Sequence, residues 1–169
     1  MPDQPGTSVD DLACIERQLG RAPRGVIEVA HRCPCGQPDV VKTRPRLDDG
    51  TPFPTLYYLT CPRAAAAIGT LESSGLMRTL EERLASDASF ADSYRQAHDA
   101  YVRERESVEV VDEIAGISAG GMPSRVKCLH VLVAHALAAG PGVNLAGDAA
   151  LDALDPWWQA GPCAIPEQS

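Results

Sequence analysis

The chain is poor in aromatic residues, poor in net positive charge and lacks any long apolar run. Aromatics make up only 5% of its 169 residues, so aliphatic and alanine-rich helices must supply most of the core. The net charge is −8, which argues against a simple basic nucleic-acid binder. No apolar stretch approaches the roughly 20 residues of a membrane helix, so no membrane association is expected. The first eleven residues are polar and acidic, with no apolar segment behind a basic one, which is not the pattern of a secretory signal. The expectation is a cytoplasmic protein. In that reducing compartment six cysteines do not read as a disulfide framework. They read as free thiols, metal ligands or catalytic groups.

What is present is unevenly spread. Residues 15–63 hold eight Lys/Arg against five Asp/Glu, whereas residues 64–169 hold seven against fifteen. The first half can face an anion while the second keeps the chain dispersed in water. The length suits one domain. Residues 1–9 read as a disordered leader, 10–160 as a single α+β domain and 161–169 as a C-terminal tail.

The periodicity predicts a helix over 10–19, closed by Gly20, and an alternating strand over 25–33. A second strand over 39–47 is damaged by Pro45, and a third covers 55–60. Asp48-Asp49-Gly50 is the turn between them. Cys61-Pro62 suits a helix start, with the helix over 64–71. Amphipathic helices follow at 76–86 and 88–105. Residues 107–121 are ambiguous. Ser124 is read as the cap of a nearly all-apolar, buried helix over 125–139, and a last helix covers 148–158. The fold class is therefore α+β: a small antiparallel three-stranded sheet followed by a helical layer with a buried central helix. In such a meander strands one and three run the same way, which puts Cys33 and Cys61 at one end of the sheet.

Four runs carry a family likeness: RQLGRAPRGVIEVAHRCPCG, TRPRLDDGTPFPTLYYLTCPR, LESSGLMRTLEERLASD and SAGGMPSRVKCLHVLVAHALAAGPGVN. Over residues 18–148 the chain resembles an actinobacterial family of unknown function, domain of unknown function 501. The resemblance implies no mechanism. Members of that family tend to be encoded near enolase, a septum-formation initiator and an exopolyphosphatase-like enzyme, which implies a link to cell division or phosphate metabolism.

Cys33-Pro34-Cys35-Gly36 is a shortened metal knuckle, since Pro and Gly bend the backbone so that two thiolates can face one ion. Tetrahedral zinc needs about four N or S ligands, and Cys61 and Cys128 are the candidates to complete the set. The more ordinary reading is that cysteines are small buried hydrophobes. Four thiolates also suit an iron–sulfur cluster, the alternative cofactor to Zn2+. On the central helix Cys128 and His130 point about 200° apart, and His135 lies about 10.5 Å from Cys128 along the axis. One ligand is expected from that helix: Cys128, with His130 as substitute. His135 reads as a hydrogen-bonded core histidine. His31, on the strand face of Cys33, could be a substitute ligand, a group hydrogen-bonded to a ligand or an acid–base group, although a lone strand histidine beside Ile27 and Val29 is more often structural, and Cys163 is a candidate fifth thiol at the site. Cys61 has a second reading as a nucleophile activated at a helix N-terminus.

A second constellation is anionic. Gly120, Gly121, Arg125 and Lys127 form a glycine-containing loop opening a helix, which Arg44 and Arg46 could join. A hinge with an N-cap is the commoner meaning of such a loop, and a solvated strand edge that of the arginines. Three functions follow. The first is a metal-stabilised binding or regulatory protein with a small anionic ligand or a protein partner. The second is an enzyme on a phosphorylated substrate, and the third an iron–sulfur redox sensor. The sequence does not decide whether the protein is an enzyme.

Overall fold

The computed structural model describes residues 6–164. Of the expected leader and tail, residues 1–5 and 165–169 lie outside the described residues. Thr7 runs beside the first strand, where its Oγ1 accepts from the Val29 amide at 3.1 Å.

Helix α1 (Val9–Leu19) starts at Ser8, not at an aspartate. The Ser8 hydroxyl accepts from the Asp11 amide, and the Asp11 carboxylate accepts from the Ser8 amide, a reciprocal cap. Gly20 ends the helix in the left-handed region, φ 70°. Its inner face, Cys14, Ile15 and Gln18, lies on the sheet. Gln18 Nε2 donates to the Pro38 carbonyl at 2.7 Å, and Arg32 forks onto Asp11 through two 2.8 Å bonds. That fork holds the Asp11 carboxyl down at a pKa of about 2.

The sheet is an antiparallel meander in the order β1 (Val26–Arg32), β2 (Pro38–Thr43), β3 (Tyr57–Leu59). β2 stops two residues before Pro45, as a residue without an amide hydrogen requires of a paired strand. Helix α5 (Leu129–Ala139) packs on the strands, and α2 (Pro62–Glu72), α3 (Leu76–Ser86), α4 (Ala88–Val108) and α6 (Leu145–Ala153) complete the helical layer around it. Short 3-10 turns lie at Asp112–Ile114 and Trp157–Ala160.

Helix α5 is the centre of the core, with Leu129, Leu132 and Val133 fully buried among Ile68, Phe90, Tyr94 and Tyr101. It begins four residues later than its apolar pattern suggests. Cys128, not Ser124, is the N-cap. Four of the amides in 125–129 find partners without helix: Arg125 and Lys127 donate to the Gly121 and Gly120 carbonyls, Val126 to Glu81, and Leu129 to Glu72. The last helix starts earlier than expected because Asn144 caps it, its Oδ1 accepting from the Gly147 amide at 3.0 Å.

His135 is the hydrogen-bonded core histidine its place on the helix implies. Its Nδ1 accepts from Asn144 Nδ2 at 3.1 Å, Tyr57 stacks on the ring and Tyr101 meets it edge-on. Burial holds it neutral, with a pKa near 4.

Candidate metal centre

The C-x-C segment is the β1–β2 turn. The Cys33 amide donates to the Gln37 carbonyl, the Gly36 amide donates to the Cys33 carbonyl, and Gly36 takes φ 90°. Gly fits there because a left-handed backbone strains a residue with a Cβ. The turn leaves both sulfurs at the same end of the sheet.

Cys163 comes to them from the other end of the chain. After α6, Trp157 packs against Ala64 and the cysteines, and Arg63 Nε donates to the Pro162 carbonyl at 2.9 Å. The Ala164 amide donates to Gln37 Oε1 at 2.7 Å. Cys35 and Cys163 sulfurs lie 3.4 Å apart, and the sulfurs of Cys33, Cys35 and Cys163 all lie within 4.8 Å of one another. Cys61 belongs to the same buried cluster and adjoins Cys163. It caps α2, its sulfur accepting from the Ala64 amide at 3.4 Å.

The electrostatics are those of thiols crowded out of water. Burial pushes Cys163 far up, and the neighbouring Cys61, Cys33 and Cys35 thiols push it further. Burial also raises Cys33. Burial acts on Cys35 in the same sense, but the amides of Gln37 and Cys163 outweigh it and lower that thiol. A zinc ion bonded at about 2.3 Å to each sulfur would space tetrahedral ligands roughly 3.8 Å apart, and the Cys35 and Cys163 sulfurs, at 3.4 Å, lie close to that spacing. The residues fit a metal ion.

The structure does not bring Cys128 to Cys33 and Cys35. It sits at the start of α5 with His130 and Glu72, whose ligand atoms also lie within 4.8 Å of one another and could hold a metal ion. Glu72, the last residue of α2, escaped sequence reasoning because no spacing ties it to Cys128. His31 is engaged elsewhere: its Nδ1 lies 2.7 Å from Asp39 Oδ1, and Asp39 is fully buried.

Three of the proposed anion donors, Arg125, Arg46 and Arg44, lie beside the chain's own carboxylates. Arg125 Nε lies 3.7 Å from Glu81, which also accepts from the Val126 amide. Arg46 reaches Glu113 at 2.8 Å, and Arg44 lies 3.8 Å from Asp48. Gly120 and Gly121 serve a tight turn. A Cβ on Gly121 would meet the Arg125 carbonyl oxygen at 2.7 Å.

A family described as "Protein of unknown function (DUF501)" matches residues 29–152. The chain belongs to the DUF501 family. Cys33, Cys35, Cys61, Cys128, His130 and Glu72 lie within the matched DUF501 region, and Cys163 lies beyond it. No curated protein and no solved structure matches the chain. Among the described residues no helix is long and apolar enough to cross a membrane.

Proposed function

We propose that this DUF501 protein is a metal-stabilised binding or regulatory module whose single zinc ion is held by Cys33, Cys35, Cys61 and Cys163. The observation that carries the reading is the approach of Cys163 to the C-x-C turn, 128 positions away, at 3.4 Å. A closed set of four thiolates leaves no position for substrate or water, so the ion is structural. It staples the C-terminal segment, the sheet end and the start of α2 together. Six free cysteines suit a reducing compartment, and we place the protein in the cytoplasm. We assign it a protein partner or a small anionic ligand in cell division or phosphate metabolism, the setting that the family's gene neighbourhood suggests.

The test is elemental analysis of freshly purified protein with its ultraviolet–visible spectrum. One zinc per chain and no visible band supports the reading. A broad visible band with iron in the sample would assign the thiolates to an iron–sulfur cluster instead. Less than a tenth of an equivalent of any metal, from cells grown with the metal supplied, would overturn it.

A further inference from the structure

We propose that Cys128 is the nucleophile of a separate acyl-transfer site, with His130 as its acid–base partner, Glu72 fixing the imidazole and the adjoining cleft taking the apolar part of an activated acyl compound.

The Cys128 sulfur, a ring nitrogen of His130 and a Glu72 carboxylate oxygen lie within 4.8 Å of one another at one helix start, the residue types of a thiol, a base and an orienting carboxylate. Cys128 is half-buried at the N-cap of α5. His130 Nδ1 lies 3.0 Å from Glu72 Oε1, and its Nε2 lies 3.1 Å from the Ala65 carbonyl oxygen. Both ring nitrogens thus face acceptors, which suits a doubly protonated ring. Such a ring is the natural counter-ion of a thiolate. Glu72 is itself fixed, because the same oxygen accepts from the Leu129 amide at 2.9 Å.

Beside the sulfur lies a cleft of about 290 Å³ between β3 and the first turns of α2 and α5, lined chiefly by Tyr57, Leu59, Ala65 and Val131. Its walls suit an apolar acyl chain rather than a phosphate. The thiolate attacks the carbonyl carbon of an ester or thioester, forming the S–C bond. The bond to the leaving group breaks, its electron pair departs with that group, and the group takes a proton from the His130 imidazolium. Water then bonds the acyl carbon while the S–C electron pair returns to sulfur. His130 takes one proton from that water, restoring thiolate and imidazolium.

The probe is 4-nitrophenyl acetate with the full chain at pH 6.5, read by nitrophenolate release and by mass spectrometry of the digested protein. One acetyl group should appear on the peptide holding Cys128, and Cys128→Ser should abolish it without changing the circular dichroism spectrum. His130→Asn and Glu72→Gln preserve shape. Each unit by which they raise the thiol's midpoint cuts the thiolate fraction about tenfold and raises intrinsic nucleophilicity about threefold, a net loss of about threefold in rate. Acetylation on another cysteine, or unchanged rates in both variants, would overturn the proposal. So would a rate that rises when a chelator is added, since Cys128 would then be a metal ligand.

Discussion

Removing the metal, by chelation or by Cys163→Ser, should weaken the fold by an amount that the chain length sets. Cys35 and Cys163 are 128 positions apart. A cross-link across such a loop removes about 17 cal/mol/K of unfolded-chain entropy on the loop-closure relation, about 5 kcal/mol at 25 °C. Strain and residual structure in the unfolded chain reduce this, so a loss of about 2–5 kcal/mol is expected. The assay is a urea titration followed by circular dichroism, with and without a chelator. For an m-value of about 2 kcal/mol/M the midpoint should fall by about 1–2.5 M. The effect should grow with free metal concentration, because the ion binds the folded chain. Cys128→Ser should leave the response to chelator intact, whereas Cys163→Ser should abolish it. A midpoint that does not move when the bound metal is shown to have left would refute the staple. An equal loss of chelator response in Cys128→Ser and Cys163→Ser would refute the ligand set.

The core makes three further predictions. His135 has a folded pKa near 4, below its unfolded value of about 6.5, so its contribution is full above pH 6.5 and is lost as the pH falls toward 4. About 3 kcal/mol of stability should disappear over that window, and much less in His135→Gln, as read by urea midpoints at pH 7 and 4.5. Gly147→Ala should destabilise by at least about 1–3 kcal/mol even though alanine is the better helix former, because the new Cβ would strike the Leu132 carbonyl and lie 2.8 Å from the Ala136 Cβ. A raised melting temperature would show that α5 and α6 do not cross there. Leu132→Ala, at a fully enclosed position, should cost about 2–5 kcal/mol in a denaturant titration, and a loss well under 1 would place α5 at the surface.

The parts of this fold that were legible in its sequence are those fixed by neighbours along the chain. Alternation in 25–33 and the turn at Asp48-Asp49-Gly50 mark a meander, and Cys61-Pro62 marks the start of α2. Helix α5 shows where local signals end. Ser124 has the right chemistry for a cap, but Glu81 and Glu72 reach in from α3 and α2 to take the Val126 and Leu129 amides, and the helix starts beyond them. The cysteines divide the same way. The C-x-C turn and Cys61 share one sheet end because meander topology puts them there. Cys163 reaches them only because Trp157 packs on α2 and Gln37 holds the Ala164 amide, contacts that no spacing encodes. Cys128, on the most apolar helix, is drawn instead to Glu72.

Helix α2 connects the two cysteine sites. Cys61 caps its first turn and Glu72 is its last residue, so about 16 Å of helix separates a thiol of the proposed metal centre from the carboxylate that fixes His130. Ala64 and Ile68 are fully buried along its inner face, which holds the rod against the core. Its ends need more. A helix of 11 residues is marginal alone, and its termini fray unless something fixes them. At the C-terminal end Glu72 is held by the Leu129 amide and His130. At the N-terminal end the fixing group is Cys61, and a sulfur bonded to an ion shared with Cys33, Cys35 and Cys163 constrains the helix axis far more than an uncharged thiol in van der Waals contact. Positioning catalytic groups demands tolerances of about 0.5 Å. A structural ion at one end of α2 is therefore a physical route to a carboxylate set accurately enough, at the other end, to orient an imidazole beside a thiolate.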